Sequence, residues 1–207
     1  MAECGCTGPQ KTFEGMSPAY KRRLWLVIAI NAAMFVVEIV AGQVSGSQAL
    51  QADALDFLGD TLTYGISLAA IGASIAVRTN AALFKALTLF GMGLWVAGST
   101  LWRVFFIETP TAEIMGAVGF MALAANLASV LILVKYKDGD ANVRSVWLCS
   151  RNDAIGNVAV MIAALGVWGT ATGWPDLIVA GIMATLFLNS AWLIFRQALH
   201  ERRAVSD

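Results

Sequence analysis

Five carboxylates stand in stretches that are otherwise too apolar for them: Glu38, Asp53, Asp56, Asp60 and Asp153. Ionisable side chains inside long apolar runs are costly and mark ion or proton pathways. Asp56 and Asp60 are four residues apart, so on a helix they share a face, and Asp53 joins the same stripe one turn away. Cys149 and Asp153 repeat the four-residue spacing, with Asn157 one turn further on. Carboxylates at that spacing repel each other unless a cation or protons separate them. Two such pairs on two helices can converge on four ligands. Three carboxylate oxygens and a thiolate suit a divalent transition ion, and four ligands suit tetrahedral zinc. The spacing also admits a proton relay, or a buried ion pair with Arg151 or Lys85. For Cys149 it admits a small apolar packing residue.

Positioning these groups falls to the rest of the chain. Of 207 residues, 58% are hydrophobic and only 14% charged, against about 25% charged in an ordinary soluble domain. Such a chain cannot present a solvated surface on every side, which excludes a soluble globular enzyme, a disordered protein and a coiled coil. Lys plus Arg and Asp plus Glu both number 14, so no basic surplus points to nucleic acid. Three cysteines make no disulfide framework. An integral membrane protein remains.

A helix needs roughly 20 largely apolar residues to cross the hydrocarbon core. Six stretches qualify, at 24–44, 49–77, 86–106, 114–134, 145–168 and 177–195. The breaks carry turn chemistry: Ser45-Gly46-Ser47, Arg78-Thr79-Asn80, Thr109-Pro110-Thr111, Lys137-Asp138-Gly139-Asp140 and Gly173-Trp174-Pro175. Continuous apolar runs fit helices rather than the alternation of membrane barrels. The expected fold is therefore all-α, a polytopic membrane protein with six transmembrane helices. A polar tail at 1–23 precedes one domain at 24–196, and a short tail at 197–207 follows it, with no soluble C-terminal domain. The tail at 1–23 is too long and polar for a signal-peptide n-region, so the first span is expected to be retained.

With six spans, eleven Lys and Arg residues fall on one side, from Lys11 to Arg203, while the opposite loops hold Glu108, Glu113 and Asp176 and no Lys or Arg. That asymmetry places both termini in the cytosol. Lys85, Arg103 and Arg151 lie in or near spans. Trp25, Trp102 and Trp174 sit near span ends as interfacial anchors do. Asn31, Asn126 and Asn189 read as interhelical hydrogen bonds. Gly91, Gly93, Gly181 and Ala184 read as close-packing positions. Glu38 reads either as part of a proton path or as a helix–helix hydrogen bond. Cys4 and Cys6 form a Cys-Gly-Cys on the N-terminal tail, an idle pair of reduced thiols or a soft-metal capture site.

The order of these residues resembles the transmembrane domain of the cation diffusion facilitator family. The first span carries Asn31, Glu38 and Gly42, followed by Ser45-Gly46-Ser47. The run from Gly46 through Asp53, Asp56 and Asp60 is similar to that family's second-helix signature, in which an Asp precedes two ligands by three residues. The segment from Arg144 through Cys149, Asp153 and Asn157 is similar to its His-x-x-x-Asp helix, and Trp174-Pro175-Asp176 before the last span also fits. The resemblance covers about residues 20 to 203.

That resemblance implies a metal/proton antiporter, not an enzyme, exporting zinc and similar divalent ions from the cytosol, usually as a homodimer. The expected partners are the ion, protons and the lipid bilayer, without nucleic acid, and the expected location is the bacterial inner membrane. The implied ligands are Asp56, Asp60, Cys149 and Asp153, holding a transported Zn2+, with Cd2+ or Co2+ as alternatives and no cofactor. Cys149 stands where the family usually has His, and a softer thiolate raises the prospect of cadmium. No counterpart of the family's C-terminal domain is expected, and with His200 as the single histidine there is none of its His-rich loop. Gradient-driven exchange follows from the site: protons displaced by the metal return when it leaves. No Walker A loop is present to supply nucleotide energy. A non-transporting membrane metal sensor and a proton-coupled organic-cation transporter are the alternatives.

Overall fold

The computed structural model describes residues 17–69, 75–106, 108–136 and 141–206; at 67, 75–79, 141–149, 197 and 200–206 it describes the backbone alone. Among the described residues six α-helices follow one another: α1 (Pro18–Ser45), α2 (Gln48–Ala69), α3 (Ile75–Phe105), α4 (Ala112–Leu133), α5 (Ala141–Thr170) and α6 (Trp174–Ser206). A 3-10 turn at Val134–Tyr136 extends α4. Local chemistry sets the ends. The Ser17 side chain accepts the Tyr20 amide and Pro18 opens the first turn of α1, where its missing N–H costs nothing. Gly46 stops α1 in the left-handed region, at φ 73°, a conformation open to glycine. Pro175 sits in the first turn of α6 for the reason that Pro18 does.

Three loops gather at one end. The Thr111 amide donates to the Ser45 carbonyl at 3.0 Å, and the Thr109 hydroxyl to the Ala171 carbonyl at 3.3 Å. Consecutive helices therefore run antiparallel, and Glu108 and Asp176 stand at this loop end. Lys21, Arg22, Arg23, Lys135 and Arg196 stand at the other. There Arg23 donates to the Ile132 carbonyl at 2.8 Å and lies over the Tyr136 ring, pinning the start of α1 to the end of α4.

The helices pair as α1 with α2, α4 with α5, and α3 with α6. Further contacts of α1 with α4 and of α2 with α5 close the first four into a ring. The α3–α6 pair leans on that ring through α2 and α5. Helix α2 touches α1, α3, α5 and α6, so it is the element best placed to carry a shared site. Gly93 lets α3 approach α6: a Cβ there would lie 2.9 Å from the Leu188 side chain. Gly91 and Gly181, expected to pack as closely, face no atom within 4 Å.

Polarity is distributed inside out. Leu87, Trp95, Leu101, Phe120, Leu131, Ile162, Leu165 and Leu186 are exposed, whereas Asn31, Glu38, Asp53, Asn126 and Asn157 are buried. Water would penalise that outer surface, and hydrocarbon accepts it. Among the described residues, five helices are long and apolar enough to cross a membrane. The exception is α2, which places three aspartates within 22 residues and turns them inward. The chain is an integral, multi-pass, all-α membrane protein.

Several expectations are corrected. The segment at 78–80 is not a turn but lies within the first two turns of α3, and the second span ends before 77, with α2 described to Ala69. Polar residues end the apolar run without ending the helix, because Arg, Thr and Asn lack the breaking power of Pro. The amide of Asn31, expected to bridge helices, donates to the Val27 carbonyl of its own helix at 3.1 Å. Asn189 is exposed. The segment 137–140 and the thiols of Cys4 and Cys6 lie outside the described residues, as do the side chains of Cys149, Arg78 and His200.

Candidate metal centre

Asp56 and Asp60 project from successive turns of α2, and the Asp153 carboxyl of α5 forms hydrogen bonds with both. All three are half-buried. Two carboxyl groups form a hydrogen bond only when one carries a proton, so protons can hold this arrangement together. The Tyr64 hydroxyl, one turn beyond Asp60, donates to Asp60 Oδ2. The charge of Lys85 on α3 acts on Asp56 and Asp60. Its side chain lines a crevice between α2 and α3 with Gly59, Thr63, Phe84 and Thr88. Arg151 is exposed, with Nη2 donating to Asn152 Oδ1 at 3.3 Å.

Three of the four sequence-predicted ligands are thus brought together. The fourth, Cys149, lies on α5 one turn before Asp153, with its side chain outside the described residues. Among the described residues no group of three or more His, Cys, Asp and Glu side chains is spaced to hold a metal ion. Asp56, Asp60 and Asp153 stand instead as a hydrogen-bonded carboxyl cluster.

Asp53 belongs to another pair. It was expected on the stripe of Asp56 and Asp60, but it is buried against α1, where its carboxyl and that of Glu38 face each other. They close no hydrogen bond of ordinary length: both Glu38 oxygens and Asp53 Oδ2 are buried without a partner. Asn157, one turn past Asp153, is fully buried with both amide atoms unpartnered. Sequence reasoning flagged Glu38 and Asp53 separately and missed their pairing. The available signal was depth: Glu38 lies seven residues before the end of α1 and Asp53 five after the start of α2.

Asp176 was also missed. Its carboxylate accepts the Ser47 hydroxyl at 2.6 Å, the Gln48 amide at 2.8 Å and the Ala49 amide at 3.0 Å. A residue of α6 therefore caps α2, the helix that carries three of the carboxylates.

The comparisons with known proteins agree with this architecture. The model of the cation efflux transmembrane domain matches residues 24–201. The metal cation efflux system protein CzcD of Cupriavidus metallidurans is 27% identical, over 87% of this chain and 61% of the relative. The zinc transporter ZitB of Yersinia pestis is 30% identical, over 87% of this chain and 62% of the relative. A cadmium, cobalt and zinc/H(+)-K(+) antiporter of Bacillus subtilis is 22% identical, over 88% of this chain and 63% of the relative. The chain thus spans less than two thirds of the length of these relatives. A match across most of the chain, on six helices with a carboxyl cluster between the second and the fifth, decides the family: the chain belongs to the cation efflux family, through its transmembrane domain.

Proposed function

We propose that the chain is a secondary transporter that exports a divalent cation, zinc or alternatively cadmium or cobalt, from the cytosol in exchange for protons. The observation that carries the reading is the hydrogen bonding of Asp153 on α5 to both Asp56 and Asp60 on α2. Three like-charged groups drawn to one point in a membrane bundle need a cation or protons between them. The two occupants compete for the same oxygens, and that competition couples their movements. Cys149, on the turn of α5 before Asp153, is the proposed fourth ligand and would add a thiolate. The basic residues at one end of the bundle support placing that end, with both termini, in the cytosol, and the membrane is proposed to be the bacterial inner membrane. The names of the relatives support zinc, cadmium and cobalt as cargo and protons as counter-ion. Alternating access would come from the α3–α6 pair and the four-helix ring moving against each other around the site. A homodimer is the proposed assembly.

Flux into proteoliposomes, measured with zinc, cadmium and cobalt under an imposed pH gradient, tests this reading. Metal uptake with counterflow of protons is the expected result. Metal binding without flux would make the protein a sensor, and uptake of an organic cation without metal competition would reassign the carboxylates as counter-ions.

A further inference from the structure

Glu38 and Asp53 stay outside the cluster that Asp153 assembles, and their setting is unusual. Glu38 is 0% exposed and Asp53 1%. Beside them Met34, Phe57 and Ala122 form an apolar cluster, Met34 and Phe57 each one turn from one of the two carboxylates. A carboxyl group in such surroundings needs donors or a positive charge. Yet both oxygens of Glu38 and Oδ2 of Asp53 have no hydrogen-bond partner. The charges acting on Glu38 are those of Asp53 and Asp56, all of its own sign. Two facing carboxyls fasten two helices only while a proton or a cation sits between them. Three buried, converging and unused oxygen acceptors are what a cation requires.

Position adds a direction. Asp53 lies three residues nearer the loop end of α2 than Asp56, and Glu38 lies at a similar depth on α1. One helical turn is about 5.4 Å. An ion leaving the Asp56, Asp60 and Asp153 cluster toward the loop end therefore meets the Glu38–Asp53 pair next. We infer that Glu38 and Asp53 form a second divalent-cation site, a holding station between the central cluster and the loop end of the bundle. The inference rests on the reading of Asp56, Asp60 and Asp153 as the transport site. Its donors are oxygens alone, so it binds more weakly and less selectively than a site with a thiolate. Weak binding suits an exit position, because an ion must be held firmly enough to enter and loosely enough to leave.

The test is equilibrium zinc binding to the full chain in lipid nanodiscs, with Cys4→Ser and Cys6→Ser introduced so that the tail thiols add nothing. That background should take up two zinc ions per chain, one tightly and one weakly. Glu38→Gln keeps the shape of the side chain, and its amide can donate to Asp53. It should abolish the weak step and leave the tight one, and Asp53→Asn should do the same, so that either folded variant decides the question. Glu38→Asp should restore the weak step at reduced affinity. Asp60→Ala should remove the tight step and keep the weak one. Binding curves for Glu38→Gln and Asp53→Asn that superimpose on the background curve would overturn the second site while leaving the central one standing. If those variants changed only the pH dependence of flux, with both zinc steps intact, the pair would carry protons and the metal station would be wrong. If Asp60→Ala left both steps unchanged while Glu38→Gln removed one, the central assignment would fail and the second site would remain.

Discussion

The Ser47 hydroxyl donates to Asp176 Oδ1 at 2.6 Å and at the same time accepts the Leu50 amide at 3.0 Å. With Gln48 and Ala49 also donating to Asp176, the first turn of α2 has its amides satisfied by one carboxylate from α6 and one hydroxyl of its own. A negative charge at a helix N-terminus also complements the helix dipole. The cap thus ties α6 to the helix that bears Asp53, Asp56 and Asp60.

Removing that carboxylate should therefore loosen the bundle. Asp176→Ala strands two buried amides and a hydroxyl, and each unsatisfied buried donor costs about 1–3 kcal/mol. Asp176→Asn keeps one acceptor oxygen and should cost less than Ala. Thermal unfolding in detergent should rank wild type above Asn and Asn above Ala. An Ala variant that unfolds at the wild-type temperature would show that the cap contributes nothing.

The cap was illegible in the sequence for a physical reason. Ser47 and Asp176 are 129 residues apart, and helical periodicity says which residues share a face but not which face meets which neighbour. The same limit hid the pairing of Glu38 with Asp53. Asp56 with Asp60, and Cys149 with Asp153, were legible because each pair is local, four residues apart on one helix. Six helices were legible because apolar runs report membrane crossing. Their ends were less so: α3 begins at Ile75 and α6 runs to Ser206, since a helix continues into water wherever no Pro or Gly stops it.

Gly93 gives a packing prediction. A Cβ at this position would meet Leu188 at 2.9 Å and the Leu188 backbone nitrogen at 3.3 Å. Gly93→Val should force α3 away from α6 and cost about 1–3 kcal/mol, the usual range for overpacking. Gly91→Val, with nothing within 4 Å, should be tolerated. Unfolding temperatures of the two variants check this, and equal values would remove the close approach as a stabilising feature.

The Tyr64 hydroxyl holds Asp60 Oδ2, so it orients one carboxylate of the proposed site. Groups behind metal ligands typically change metal affinity 10- to 100-fold when lost. Tyr64→Phe should raise the apparent KM for zinc by about 10-fold while leaving the maximal rate close to wild type. Tyr64 is buried and Phe fits the same space. An unchanged KM in folded protein would mean that Asp60 needs no such support.

Cys149 gives the sharpest prediction. It stands one turn before Asp153 on α5, where the resembling family usually has His. A thiolate is a soft ligand and imidazole a harder one that lacks the negative charge. Cys149→His should keep transport and shift preference from cadmium toward zinc. Cys149→Ser preserves size but offers only a hydroxyl, so affinity should fall for every thiophilic ion. If Cys149 were merely a packing residue, Ser and Ala would behave alike and leave the ion ranking unchanged, while the bulkier His would damage packing. The two readings thus order the His and Ala variants oppositely. Competition flux with cadmium and zinc on the three variants separates them. An ion ranking in Cys149→Ala equal to that of wild type would leave Asp56, Asp60 and Asp153 as an all-oxygen site, which favours harder ions than cadmium.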